Sequence, residues 1–391
     1  MDAAQPAWLA QVFTHPGERI VLYLAIDQHA KQITVVVRNE AGDTVLRRQV
    51  STRTEKIKLF FEQVVELDAE FMAILECCGF NDWLIEELRK YECHEIVLIH
   101  PEKPSKKKTD RRDARKLCDL LWVNRERLAS GEPVHGLRRV YIATQQEKDD
   151  RQITSLRQNL GRRRTRALNK IQRILHRHNI MWSYPTKSFQ TKTGLAWLET
   201  VALPEIDRFE MDMLLQEWKT LDEQIEQVNV KIKERANRSV PGQILNSAQL
   251  LMTAPGVSYY SGLGLASRIG SIKRFPRPRS LANYFGLTPG CHNSGNSNRR
   301  PGAITKEGSR FARFVLGQLV IQFLKLDPKM RDWYRRIKLR RGSKIARVAV
   351  MRRIATVFWH MLTYGETYCI GGPPPRLRHP HDHHQSRKGA A

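Results

Sequence analysis

Residues 106–121 read KKKTDRRDARKLCDLL, a stretch that combines basic residues, acids and an apolar end. Its pattern predicts a helix, on which Asp110 and Asp113 are three residues apart and therefore share one face. Lys and Arg flank both acids, so simple ion pairing on a cationic surface is one interpretation. The other interpretation is metal binding. It is favoured because two further acids, Asp27 and Glu76, each end a hydrophobic run upstream and could join Asp110 and Asp113.

Four carboxylates that converge from three elements would repel one another unless a divalent cation neutralised them. Hard oxygen ligands of this kind suit Mg²⁺ or Mn²⁺. The sequence therefore predicts a metal site whose ligands are Asp27, Glu76, Asp110 and Asp113.

Short apolar runs separated by polar turns fill the first part of the chain and predict an alternating α/β domain. Strands are predicted at residues 20–26, 33–37, 44–50, 71–75 and 96–99, and helices at 55–67, 81–91 and 106–121. The order β-β-β-α-β-α-β-α is that of the ribonuclease H-like fold, which has a mixed sheet. In such a sheet the first and fourth strands end close together, so Asp27 and Glu76 are expected to be neighbours.

The remainder of the chain is predicted to be helical, which makes the fold class α/β plus all-α. Residues 151–180 form a long basic helix, and residues 208–237 carry apolar positions alternately four and three apart, as in a coiled coil. These two helices are expected to pair as an antiparallel hairpin. Two short helices around a Pro-Gly turn at 250–275 resemble a helix-hairpin-helix, and apolar helices follow at 310–326 and 345–364.

Changes in composition divide the sequence into segments. A linker with Pro185, Gly194 and Pro204 interrupts the helical region, and SVPG at 239–242 marks a boundary. The predicted segments are a lead-in at 1–19, the α/β domain at 20–130, a basic helical coiled-coil region at 131–245, a mainly helical domain at 246–370 and a disordered tail at 371–391.

The charge balance predicts a polyanionic partner. The 391 residues include 66 Lys and Arg against 40 Asp and Glu, a formal charge of +26, which favours nucleic acid over a membrane surface. We find no apolar run of membrane-spanning length and expect no secretory signal. The six cysteines show no C-x-x-C spacing, so reduced thiols in the cytoplasm are expected and a zinc site is not.

Basic side chains cluster in two places that are predicted to contact nucleic acid. A run of one sign along a helix is often a solvated face, but a packing stripe beside it favours a phosphate-contacting surface. The candidates are Arg157, Arg162, Arg163, Arg164, Arg166 and Lys170 in the long helix, and Arg299, Arg300, Lys306, Arg310 and Arg313 in and after a polar loop at 290–302.

The sequence also resembles a known family through several motifs. The first half contains AIDQHAK, LECCGFNDWLIEEL and IHPEKPSKKKTDRRDARKL, and the second contains APGV, RFPRPRSLANYFGLTPGCHNSG, GAITKEGSRFARFVL and KIARVAVMRRIATVFWHML. In this order they resemble the DEDD-type transposases of the insertion-sequence 110 family. The resemblance covers about residues 21–121 and 250–368.

This resemblance implies that the four acids are the metal-binding tetrad of a RuvC-like domain. It also implies that Ser294 is the serine of the C-terminal transposase domain that attacks DNA. On spacing alone Ser294 would be a turn residue, with Ser297 and Ser309 as competitors. The Cys77-Cys78 pair departs from the small residues expected after the glutamate, but it removes no charged or nucleophilic atom.

The resemblance further implies an element that is excised and inserted by site-specific recombination, guided by a structured RNA that pairs with donor and target DNA. Since strand exchange needs several active sites, a dimer or tetramer is expected. The protein is also expected to be associated with the nucleoid in a prokaryotic cytoplasm. A metal-dependent nuclease or junction resolvase that activates water is the main alternative. A non-catalytic nucleic-acid-binding protein, with its acids paired to Lys and Arg, is the third.

Overall fold

The computed structural model describes residues 21–66, 70–101, 110–132, 134, 137–290 and 302–370, and within residues 110–113 it describes the backbone only. The chain divides into two compact units, Met1–Ile142 and Ala143–Ala391. The boundary predicted at residue 245 falls inside the second unit.

A five-stranded mixed sheet forms the first unit. The strands are β1 (Val21–Gln28), β2 (Gln32–Arg38), β3 (Thr44–Ser51), β4 (Glu70–Glu76) and β5 (Glu95–Ile99). Their order across the sheet is β3-β2-β1-β4-β5. Strands β1, β2 and β3 pair antiparallel, whereas β4 pairs parallel with both β1 and β5. Both the five predicted strands and their mixed pairing are therefore confirmed.

Helices cover the two faces of this sheet because the buried strands are apolar on both sides. They are α1 (Thr54–Val65), α2 (Asp82–Lys90), α3 (Asp110–Val123) and α4 (Arg125–Ala129). Helices α1 and α2 pack on the face that carries Leu24, Ile26 and Leu75. Helix α3 packs on the opposite face, together with Ala25 and Ile74.

Two long helices, α5 (Gln145–Arg177) and α7 (Glu205–Ala236), pair in the second unit. Leu160 packs with Leu221 and Ile225 near the middle of the pair. The short helix α6 (Lys192–Thr200) contributes Leu198 to a cluster at the end where α5 finishes. The predicted pairing of the two helices is confirmed.

Five further α-helices follow in the described part of the second unit. They are α8 (Ser247–Met252), α9 (Tyr259–Ile269), α10 (Pro278–Tyr284), α11 (Arg310–Leu326) and α12 (Pro328–Tyr364). They enclose the largest apolar cluster of the described chain, which includes Leu316, Phe323 and Phe358. Helix α12 is interrupted at Gly342, whose φ is 81°, so the segment before it is an additional helix that the sequence did not predict.

No helix within the described ranges is both long and apolar enough to cross a membrane.

Candidate functional site

Two of the predicted acids end neighbouring parallel strands. In the β1–β4 pairing Ile26 lies opposite Leu75, and Asp27 and Glu76 are the next residues on the two strands. Alternation along a strand turns both acids toward the face that α3 covers, since Ala25 and Ile74 belong to that face. The side chain of Asp27 is 16% exposed. We call these two strand ends, with the residues that hold them, the carboxylate edge.

The direction in which α3 runs shows how far along the sheet its first turn lies, and so whether it reaches the carboxylate edge. The Cys118 thiol donates to the carbonyl oxygen of Tyr23 at 3.4 Å, and the Trp122 indole N–H donates to that of Glu40, in the β2–β3 turn. Helix α3 therefore runs antiparallel to β1. From residue 118 back to residue 110 a helix advances about 12 Å, and from residue 23 to residue 27 a strand advances about 13 Å.

The first turn of α3 thus lies at the level where β1 and β4 end. The backbone of Asp110 and Asp113 belongs to this turn, and their side chains are outside the described part of the chain. Among the side chains that are described, no group of three His, Cys, Asp or Glu is placed to hold a metal ion. Asp27 and Glu76 still offer the hard carboxylate oxygens that Mg²⁺ or Mn²⁺ takes, so the donor chemistry fits such an ion.

Three polar neighbours of these acids were not assigned roles from the sequence. His29 Nε2 lies 3.2 Å from Asp27 Oδ2. Gln28 and Asn81 are buried behind the strand ends and hydrogen-bond to each other. The available signal was that Gln28 and His29 closely follow Asp27 and that Asn81 follows Glu76 by five residues, but spacing alone did not distinguish these residues from ordinary turn residues.

The loop that contains Ser294 begins and ends on a short paired segment of the second unit. An isolated bridge joins Pro289 and Ile304, and Gly290 N–H donates to the carbonyl oxygen of Ala303. Residues 291–301, and with them Ser294, Ser297, Arg299 and Arg300, lie outside the described residues. We call residues 286–290 and 302–308, together with Arg313, the loop base.

Close backbone contacts hold the loop base together. A Cβ atom on Gly286 would lie 2.1 Å from the Glu307 carbonyl oxygen, and one on Gly308 would lie 2.0 Å from that of Tyr284. Both glycines also have positive φ, 66° and 73°. Only glycine fits such positions without a shift of the backbone.

Arg313 reinforces these backbone contacts. One guanidinium nitrogen, Nη1, donates to the carbonyl oxygens of Phe285 at 3.0 Å and Glu307 at 2.7 Å. Burial, and then the nearby Arg310, lower the pKa of Arg313, although the group stays charged near neutral pH. Ser309, a competitor of Ser294 in the sequence, caps α11 by accepting from Ala312 N–H.

The candidate cations on α5 differ in how they are engaged. Arg157 donates to Asn229 and lies over the Tyr260 ring, and Arg164 is paired with Asp222. Arg163 reaches Glu217 at 3.9 Å, with both side chains half exposed. Other candidates have exposed side chains and pair with no acid among the described residues: Arg162, Arg166 and Lys170 on α5, and Lys306 and Arg310 beside the loop base.

A buried arginine fixes α5 against α9. The Arg268 guanidinium donates to the Thr154 hydroxyl at 3.0 Å and the Ser155 hydroxyl at 2.9 Å, and it stacks on the Phe311 ring. Burial lowers the pKa of Arg268 to about 10, so it remains protonated at neutral pH. The orientation of the exposed basic face of α5 within this unit is therefore set by buried contacts.

Carboxylates at the ends of parallel strands and a strongly basic helical unit define the class of a nucleic-acid enzyme. Comparison with known families makes this specific. A model described as "Transposase" for the DEDD proteins of IS110 matches residues 24–180, and one described as "Transposase IS116/IS110/IS902 family" matches residues 248–335. Together they cover more than half of the chain. The chain belongs to the IS110 family of transposases and is a DNA transposase.

Two curated relatives agree with this placement. The transposase for insertion sequence element IS1111A of Coxiella burnetii is 25% identical over 329 residues, which are 82% of this chain and 85% of that protein. The transposase for insertion sequence element IS1328 of Yersinia enterocolitica is 22% identical over 359 residues, which are 89% of this chain and 98% of that protein.

Proposed function

We propose that this transposase cuts and rejoins DNA through a covalent link to Ser294, assisted by Mg²⁺ or Mn²⁺ at a RuvC-like, ribonuclease H-like domain. The proposed ligands are Asp27, Glu76, Asp110 and Asp113. A single observation carries the metal site. Asp27 and Glu76 end adjacent parallel strands on the face of α3, and the first turn of that helix, with Asp110 and Asp113, lies at the same level.

The chemistry follows from what each group offers. The Ser294 hydroxyl attacks a DNA phosphodiester, so that a serine Oγ–P bond forms and the P–O bond to the leaving strand breaks, while the hydroxyl proton goes to solvent or a nearby base. A 3′-hydroxyl of a second strand then attacks the phosphoserine and releases the serine. A bound divalent ion would stabilise the charge that develops on the phosphoryl oxygens. Because each step exchanges one phosphate ester for another, no nucleotide hydrolysis is needed.

The partners proposed are the element ends, the target DNA and a structured guide RNA from the element. The exposed Arg162, Arg166 and Lys170 on α5 support contact with a phosphate backbone, as do Lys306 and Arg310 beside the loop base. Exchange of two duplexes requires several active sites at once, so we propose a dimer or tetramer. In a bacterial cell this activity belongs at the nucleoid.

Ser294→Ala tests the covalent step. With purified protein, Mn²⁺ and DNA carrying an element junction, the wild type should give a protease-resistant DNA–protein adduct on the peptide spanning residues 290–302. The Ser294→Ala protein should give neither adduct nor joined product. Ser297→Ala is the matched control in the same loop and should retain both.

The outcome also separates the two enzyme classes. If Ser294→Ala still cuts DNA while Asp27→Asn does not, the protein is a metal-dependent nuclease or resolvase that uses water. Loss of the adduct in Ser297→Ala, with Ser294→Ala unaffected, would assign the nucleophile to the other serine. The RNA is tested by co-purification and sequencing of bound RNA, which should map to the DNA flanking the gene.

A further inference from the structure

Behind the carboxylate edge lies a pair of buried side-chain amides. Asn81 is 6% exposed and Gln28 is 8% exposed. The Asn81 amide Nδ2 donates to Gln28 Oε1 at 2.9 Å and to the carbonyl oxygen of Glu76 at 3.0 Å. The pair therefore connects the end of β1 to the end of β4 by a route independent of the strand ladder.

Both amides use their remaining polar atoms on the same segment. Cys78 N–H donates to Asn81 Oδ1 at 2.6 Å, and Gln28 Nε2 donates to the Phe80 carbonyl oxygen at 3.0 Å. The chain from Glu76 to Asn81 is thus held at three points by two side chains. Since buried amides are costly to leave unpaired, this network resists displacement of any one member.

The Asn81 side chain takes part in this network and does not cap a helix, which is the usual role of an asparagine at its position. It is the N-cap residue of α2, but its side chain makes no capping hydrogen bond to that helix. Its oxygen instead faces back to Cys78 N–H, which follows Glu76 by two residues. An asparagine at an N-cap would ordinarily stabilise the helix, so its side chain here supports the strand end.

The two amides also flank the acids in sequence and on the sheet. Gln28 directly follows Asp27, and its side chain lies on the opposite face of the sheet by strand alternation. Asn81 holds the carbonyl group of Glu76 itself. Each amide therefore anchors the backbone that carries one acid while leaving that carboxylate on the α3 face.

We propose that Gln28 and Asn81 are positioning residues that set the spacing of the Asp27 and Glu76 carboxylates for a divalent cation. This inference rests on the proposed metal site. Neither amide contacts the ion, so the pair acts through the backbone of the two strand ends. Outer-shell groups that orient metal ligands change metal affinity when they are removed, even though the ligands remain.

Metal affinity of the full-length protein is the direct test. Mn²⁺ alone is titrated against wild type, Asn81→Ala, Gln28→Met and Asp27→Asn, and free Mn²⁺ is measured by electron paramagnetic resonance. We expect Asn81→Ala and Gln28→Met to bind Mn²⁺ about 10- to 100-fold more weakly than wild type. Gln28→Met keeps the length of the side chain and serves if Asn81→Ala does not fold.

Asn39→Ala is the matched control. Asn39 is also buried, at 7% exposed, and accepts a hydrogen bond from Asp43 N–H, but it lies in the β2–β3 turn at the other end of the sheet. It should lower the melting temperature as the amide variants do and leave Mn²⁺ affinity unchanged. A loss of affinity that appears equally in Asn39→Ala would reduce the effect to general destabilisation and overturn the inference.

The remaining outcomes separate this inference from the proposed function. If Asp27→Asn loses Mn²⁺ while both amide variants bind it as wild type does, the metal site stands and the positioning role is refuted. If Asp27→Asn binds Mn²⁺ as tightly as wild type, the metal site itself is refuted and the positioning role falls with it.

Discussion

The backbone is held in place by different contacts at the carboxylate edge and at the loop base. At the carboxylate edge, ladder hydrogen bonds align two strands and side-chain amides fix their ends. At the loop base, main chain approaches main chain so closely that Gly286 and Gly308 leave no room for a side chain. The arrangement of the carboxylate edge depends on individual side chains, whereas that of the loop base depends on backbone geometry.

Because of this difference, substitutions at the carboxylate edge should mainly affect activity, and substitutions at the loop base should mainly affect stability. Replacing an acid at the end of a strand by its amide keeps the side-chain volume, so the change should affect chemistry more than folding. A glycine at positive φ makes no chemical contribution, yet its replacement should strain the unit that holds the loop. Four predictions test this distinction.

Asp27→Asn and Glu76→Gln should abolish activity and spare the fold. Each keeps the side-chain size but removes a charged oxygen ligand, so DNA cutting should fall by more than about 100-fold, beyond the range for outer-shell groups. The free energy of unfolding should change by less than about 1 kcal/mol. Cleavage assays measure the DNA cutting, and urea denaturation measures the free energy of unfolding. Glu55→Gln, in an exposed position of α1, is the control and should change neither.

Gly308→Ala should have the reverse profile. Its Cβ would lie 2.0 Å from the Tyr284 carbonyl oxygen at a φ of 73°, so the second unit should lose at least about 3 kcal/mol. Gly317→Ala is matched, because Gly317 lies in α11 with open space at its Cβ, and it should stabilise by up to about 1 kcal/mol. Equal melting temperatures for the two variants would contradict the backbone account of the loop base.

Arg313→Met and Arg310→Met distinguish two nearby residues that were both predicted to contact phosphate. Arg313 donates to backbone carbonyl oxygens, so its loss should destabilise the second unit by about 2 kcal/mol. Arg310 is exposed, so Arg310→Met should instead weaken DNA binding. It should also reduce the slope of log affinity against log salt concentration by about one unit. Calorimetry and DNA titrations at several salt concentrations measure these effects, and an exchange of the two results would reverse the assignments.

Alkaline pH should weaken the first unit through a buried thiol. Burial raises the pKa of Cys118 to about 12, above its ordinary value of 9.0. The folded state therefore keeps a proton that the unfolded state loses. This contribution is complete below pH 9 and is lost as the pH rises toward 12.

Between pH 9 and 10 the loss should be about 1 kcal/mol for this thiol. It is measured as the difference in urea denaturation between wild type and Cys118→Ala at each pH. Cys369, which is exposed, provides the control in Cys369→Ala. A pH dependence that is identical in wild type and Cys118→Ala would show that the buried thiol is not responsible.

Periodicity and short motifs were enough to predict the local elements. Continuous apolar runs predicted β1, β4 and β5, and the seam with four- and three-residue spacing predicted α7 and its pairing with α5. The positions of Asp27 and Glu76 at strand ends were also correct. Apart from the pairing of α7 with α5, these features depend on neighbours within a few residues, which a sequence displays directly.

Contacts between distant parts of the chain required the tertiary structure. The Gln28–Asn81 hydrogen bond joins residues 53 positions apart, and the direction of α3 is visible only from its contacts with β1 and the β2–β3 turn. The same holds for Arg310 and Arg313, which are three residues apart with different surroundings. Local pattern specifies what an element is, but burial and hydrogen-bond partners depend on which surfaces pack together, and that is a property of the whole folded unit.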